Sequence, residues 1–136
     1  VVWDSNLLLS PSSRALMKGV VGTYIGDYKF GNDVCAERSG ALPHYLHRLQ
    51  ENLHFARATA RLVVRHLLLP GHHACCFVPM VTWLREQMPG VELSLRAGYM
   101  PPQHAVRDRA WHGTIPAALH EQARDFARAA GLHLID

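Results

Sequence analysis

The chain has 136 residues, 49% of them hydrophobic and 18% charged, with a net charge of +3. That composition excludes a disordered chain and allows one domain with a real core. No apolar run approaches the roughly 20 residues that span a bilayer. The twelve arginines and two lysines are spread along the chain with no basic block, so neither a membrane nor a nucleic acid is an expected partner. Three cysteines, Cys35, Cys75 and Cys76, form an odd set with an adjacent pair. They do not read as a secreted disulfide framework, and a cytoplasmic, reducing location is expected. The chain opens at Val1 directly into an apolar run, which gives the expectation that it starts inside a longer protein.

In chain order, Val1 to Asp4 reads as a short buried strand containing Trp3. Ser10 caps a helix with Pro11 at its first position, and that helix stops near Gly19. Val20 to Ile25 reads as the second strand, followed by Asp27-Tyr28-Lys29. A short helix is expected from Asp33 to Arg38. A longer one runs from Pro43 to about Ala60, with Leu46, Leu49, Leu53, Ala56 and Ala60 on one face. Leu62 to Leu69 is nearly continuous in its apolar character, as parallel strands buried on both faces are; Arg65 and His66 interrupt it. Phe77, Val81, Leu84 and Met88 form the face of the next helix, and Val91, Leu93 and Leu95 alternate as a strand. A loop around Pro101 and Pro102 leads to a last helix, Pro116 to about Ala130, with Leu119, Ala123, Phe126, Ala127 and Ala130 inward. Leu132 to Ile135 is a final strand.

Alternation of strand and helix predicts an α/β fold with a parallel sheet. The strand ends suit the βα units of a barrel, although an open doubly wound sheet has the same periodicity. No G-x-G-x-x-G or Walker A motif is present, which weakens the nucleotide-binding version of the open sheet. Chemistry in α/β barrels sits at the C-terminal strand ends. Asp4-Ser5-Asn6, Asp27-Tyr28-Lys29, Arg65 and Pro70-Gly71-His72 fall there. The alternative is that Asp4 and Asn6 stabilise turns and that Asp27 and Lys29 form a solvated pair.

The strings Trp3-Asp4-Ser5-Asn6, Asp27-Tyr28-Lys29-Phe30-Gly31-Asn32-Asp33 and Val64-Arg65-His66-Leu67-Leu68-Leu69-Pro70-Gly71-His72 resemble radical S-adenosylmethionine (SAM) proteins similar to pyruvate formate-lyase activating enzyme. The resemblance covers about residues 1 to 100. It implies a parallel partial (β/α) barrel, a TIM-like half barrel. Residues 1–136 would form a single partial domain carrying the third strand onward, its N-terminal strands missing. It implies a C-terminal part of an enzyme that cleaves SAM reductively with a [4Fe–4S] cluster, in the manner of a glycyl-radical-enzyme activase.

By the same resemblance, Asp4, Ser5 and Asn6 lie near the SAM methionyl group, Lys29 pairs with its carboxylate beside Asp27, and Arg65 faces the same site. Asp4 and Asp27 would share a monovalent cation. The implied partners are a glycyl radical enzyme as protein substrate and flavodoxin or ferredoxin as electron donor. The chain departs from the family in two places. Ala97-Gly98-Tyr99 stands where activating enzymes carry a histidine near the adenosine. No C-x-x-x-C-x-x-C is present, so the cluster ligands are expected outside this chain and its cysteines are assigned no cluster.

The run His72-His73-Ala74-Cys75-Cys76 holds four candidate zinc ligands in five residues. Four ligands so close in sequence cannot easily surround one ion, and a site needs partners such as His66 or Cys35. The competing expectation is a helix start with Cys75 or Cys76 packed as a small hydrophobe and no structural zinc. Besides the radical SAM reading, two others are carried: a non-catalytic α/β module with a SAM-like pocket, and a zinc hydrolase or other zinc-binding barrel fragment.

Overall fold

Ser10 starts the first helix as the sequence suggests. Its Oγ accepts the Ser13 N–H at 3.1 Å with Pro11 at the first helical position, which satisfies one of the unpaired amides of that turn. A computed structural model describes residues 1–40, 42–101 and 112–135; Pro102 of the expected proline loop lies outside them. The elements are β1 (Val2–Ser5), α1 (Pro11–Met17), β2 (Thr23–Asp27), α2 (Asp33–Gly40), α3 (Tyr45–Thr59), β3 (Arg61–Leu67), a π-helical turn (His73–Phe77), α4 (Val78–Gln87), β4 (Glu92–Arg96), α5 (Ala117–Ala129) and β5 (His133–Ile135). Among the described residues, no helix is long and apolar enough to cross a membrane.

The fold is α/β, a five-stranded sheet flanked by helices. Its order is β1-β2-β3-β4-β5 with every neighbouring pair parallel. The order never reverses, unlike that of a doubly wound sheet with its switch point. Strand alternation divides the side chains between two faces. Tyr24, Leu62, Val64, Leu93 and Leu95 join one core with helix residues such as Leu49, Leu53, Met80, Leu84, Ala123 and Ala127. The opposite face carries Ile25, Arg61, Val63, Arg65, Ser94 and Arg96, and forms a trough of ≈ 330 Å³ that reaches from Val2 to Ile135 and is lined by strand residues alone.

Three expectations need correction. Among the described residues β1 pairs with β2 alone, and Trp3 is 41% exposed where burial was expected. Phe126 is not an inward residue of α5 but 42% exposed, its ring 5.8 Å from that of Phe77. The helix containing Phe77 does not begin as an α-helix. It enters through the π turn, in which the Phe77 N–H reaches the His72 carbonyl at 3.3 Å.

Candidate functional site

The register places Asp27 opposite Arg65, and Arg65 opposite Ser94. Because parallel neighbours in register point to the same side, the side chains of Asp4, Asp27 and Arg65 meet on the trough face. The Arg65 guanidinium forks onto Asp4, with Nη1 to Oδ2 at 2.9 Å and Nη2 to Oδ1 at 2.7 Å, and its Nε donates to Asp27 Oδ1 at 2.6 Å. Hydrogen bonds to Asp27 first and Asp4 second raise the guanidinium pKa above its ordinary value. The free oxygen of Asp27 faces Lys29, with Nζ to Oδ2 at 3.4 Å. The Lys29 side chain is 47% exposed, open enough to meet a ligand.

The loop carrying Lys29 is pinned at two points. The Lys29 N–H donates to the Tyr45 hydroxyl at 2.8 Å, and the carbonyl of Tyr28 lies 2.6 Å from Nδ1 of the buried His66. Beside the guanidinium's strand position, the Ser94 hydroxyl is buried, has no hydrogen-bond partner among the described residues, and lines the trough. It is a site residue that sequence reasoning missed, its one signal being its place in an alternating strand.

Of the residues singled out from the sequence, Asp4, Asp27, Lys29 and Arg65 are therefore brought together. Ser5 and Asn6 are engaged elsewhere. Ser5 Oγ accepts the Leu7 N–H at 3.1 Å and Asn6 Oδ1 accepts the Leu8 N–H at 3.2 Å, so both shape the turn after β1. Between Asp4 and Asp27, where the resemblance implies a monovalent cation, lies the chain's own guanidinium.

A second group forms where the loops after β2 and β3 meet. Cys35, in the first turn of α2, joins His72, Cys75 and Cys76, and their ligand atoms all lie within 4.8 Å of one another. Cys35 Sγ to Cys75 Sγ is 3.8 Å, Cys75 Sγ to Cys76 Sγ is 3.9 Å, and His72 Nδ1 stands 3.5 Å from both Cys75 Sγ and Cys76 Sγ. Burial pushes the Cys76 thiol up to about 12 and also raises Cys75, and it lowers His72, which favours its neutral ring. The partner that the His/Cys run requires is thus Cys35 and not His66. His73 turns away, its ring 5.0 Å from that of Phe77.

The π turn makes this convergence possible. Pro79 has no N–H to return to the Cys75 carbonyl, and the Asn32 side-chain amide takes that carbonyl instead at 2.7 Å. Winding an extra residue into the turn narrows the angle between successive side chains, so Cys75 and Cys76 both reach His72. Asn32 does more: its Oδ1 accepts the Cys35 N–H at 2.8 Å and its Nδ2 lies 3.3 Å from Cys35 Sγ. Asn32 and Gly31 lie in the Asp27-to-Asp33 segment, but nothing in their residue types announced these roles.

The chain is 31% identical over 135 residues to an uncharacterized protein of Methanocaldococcus jannaschii, a match that takes in 99% of this chain. It spans 40% of the length of that relative. No family model matches the chain, and no solved structure matches it.

Proposed function

We propose that this chain is the C-terminal part of a radical SAM barrel, with the trough as part of the barrel interior and the strand ends as the SAM-binding mouth. The observation that carries the reading is the joining of Asp4, Asp27 and Arg65 from three successive strands on the trough face, with the half-exposed Lys29 beside them. A sequential all-parallel order is what a segment of a (β/α) barrel requires. The unpartnered Ser94 hydroxyl supports a ligand in the same trough.

On this reading the residues have distinct roles. Lys29 is the ligand contact, a compact ammonium for the SAM carboxylate. Arg65 is a positioning residue, because both edges of its guanidinium are already taken by carboxylates. Asp27 orients Lys29, and Tyr45 and His66 hold the loop that carries it. When bound, SAM supplies the hydrogen-abstracting chemistry on one-electron reduction. The [4Fe–4S] cluster does not fit these residues. The chain's three thiols converge on a single point, whereas three cysteines of such a cluster bind three different irons. The cluster ligands, the protein substrate and the flavodoxin or ferredoxin donor belong to the complete protein.

The test is SAM affinity measured by calorimetry on the full-length, cluster-loaded protein. A charge-assisted contact is worth about 1.5–3 kcal/mol, so Lys29→Met is expected to weaken SAM binding about ten- to hundredfold, with Lys29→Arg recovering only part. Unchanged affinity in Lys29→Met overturns the assignment. Release of 5′-deoxyadenosine under reduction separates this enzyme from a non-catalytic SAM-binding module, which binds without cleaving.

A further inference from the structure

We propose that Cys35, His72, Cys75 and Cys76 bind one Zn²⁺ ion in a closed, structural site that clasps the loops following β2 and β3. The inference stands independently of the SAM reading, since zinc content is measured without turnover.

Geometry carries it. With Zn–S bonds of about 2.3 Å and a Zn–N bond of about 2.0–2.1 Å at tetrahedral angles, the edges of the ligand tetrahedron are about 3.8 Å for S···S and about 3.5–3.6 Å for S···N. Four of the six observed edges match: 3.8 and 3.9 Å between sulfurs and 3.5 Å from His72 Nδ1 to each of Cys75 and Cys76; the other two, from Cys35 to Cys76 and to His72, lie within 4.8 Å. Thiols packed only as small hydrophobes have no reason to aim their sulfurs and an imidazole nitrogen at one point. A Cys35–Cys75 disulfide requires a bond of about 2.05 Å, far shorter than this spacing.

A side-chain donor is set against one of the sulfurs. The Asn32 amide reaches Cys35 Sγ at 3.3 Å, a donor of the kind that orients metal-bound ligands. Soft sulfur with one imidazole selects zinc over calcium or magnesium. Four protein ligands complete a tetrahedron and leave no position for water, which makes the site structural and not hydrolytic. Its position gives it a task. Gly31 and Asn32 follow Lys29 by two and three residues, so the ion would fix the end of the loop that presents that lysine.

The full-length protein, expressed with zinc supplied and purified under reducing conditions, should hold one zinc per chain, and X-ray absorption at the zinc edge should fit three sulfurs and one nitrogen. That edge is blind to iron elsewhere in the protein. Asn32→Leu should weaken zinc retention against a competing chelator about 10- to 100-fold, and Cys35→Ser should lose the ion. Because removing a ligand can cost the fold, the wild-type protein carries the deciding measurements. Zinc well below one per chain, a coordination shell without three sulfurs, stoichiometric iron or copper in its place, or a Cys35–Cys75 disulfide in anaerobically isolated protein each overturns the proposal.

Discussion

His66 shows how much one side chain can couple folding to pH. It sits within β3 as a residue 1% exposed, and Nδ1 lies 2.6 Å from the Tyr28 carbonyl. A carbonyl only accepts, so the proton of the neutral ring is on Nδ1. Burial outweighs that hydrogen bond and pushes the pKa down to about 4 from 6.5. Between these values the unfolded chain binds the proton and the folded chain does not. Stability from this residue is therefore complete above pH 6.5 and is lost as pH falls toward 4. The difference of about 2.5 pH units corresponds to roughly 3 kcal/mol. Denaturant midpoints measured from pH 7 to pH 4 should fall steeply in the wild type and with a clearly smaller slope in His66→Gln; equal slopes in the two proteins exclude this residue as the source. The sequence marks His66 only as an interruption of an apolar run. Its burial depends on Phe77, whose ring centre is 5.8 Å away.

Among the elements, the π turn is the one that periodicity could not reveal. The positions Phe77, Val81, Leu84 and Met88 are indeed buried, each at 1% exposure or less, because a three-and-four spacing survives whatever precedes it. The widened turn follows from Pro79 and from Asn32, which lies far off in sequence. Gly31 fits against the same turn. A Cβ at Gly31 would stand 2.4 Å from the Cys76 carbonyl oxygen, 2.6 Å from Cys76 Cα and 2.9 Å from the Cys75 carbonyl oxygen. These are backbone atoms that cannot rotate away, so Gly31→Ala should destabilise by about 1–3 kcal/mol, as overpacking does. Gly98→Ala is the control: a Cβ there meets nothing within 4 Å among the described residues, and the change should stay within about 0.5 kcal/mol. Urea unfolding of both variants tests the contrast, and equal effects would show that the Gly31 contact is not what holds the turn.

Across the whole molecule, Arg65 links β1, β2 and β3 on the face away from the helices through Asp4 and Asp27. Its side chain is 33% exposed, that of Asp27 17% and that of Asp4 47%, so solvent screens part of the attraction. Arg65→Met leaves two carboxylates facing each other with Lys29 as the nearby cation. The expected loss is about 1–2 kcal/mol, above an exposed pair and below a fully buried one. Arg65→Lys should recover little, because one ammonium cannot fork onto two carboxylates. A urea midpoint lowered at unchanged denaturant slope checks this, and a midpoint equal to the wild type would mean that the trio contributes no net stability.

What the sequence determined by itself was local. Apolar residues at helical and strand spacing, Ser10 before Pro11, and glycines after helices located the strands and α-helices of the described residues to within a few residues, since those signals act over one or two turns. Polar residues after apolar runs marked the strand ends that hold Asp4, Asp27, Lys29 and Arg65. Only the tertiary structure decided the rest. The sequential strand order and the exposure of β1 depend on which strands pair. The guanidinium between two carboxylates depends on register. Cys35 meets His72, Cys75 and Cys76 across about forty residues because two loops pack together on the backbone contact at Gly31, a convergence that no spacing along the chain encodes.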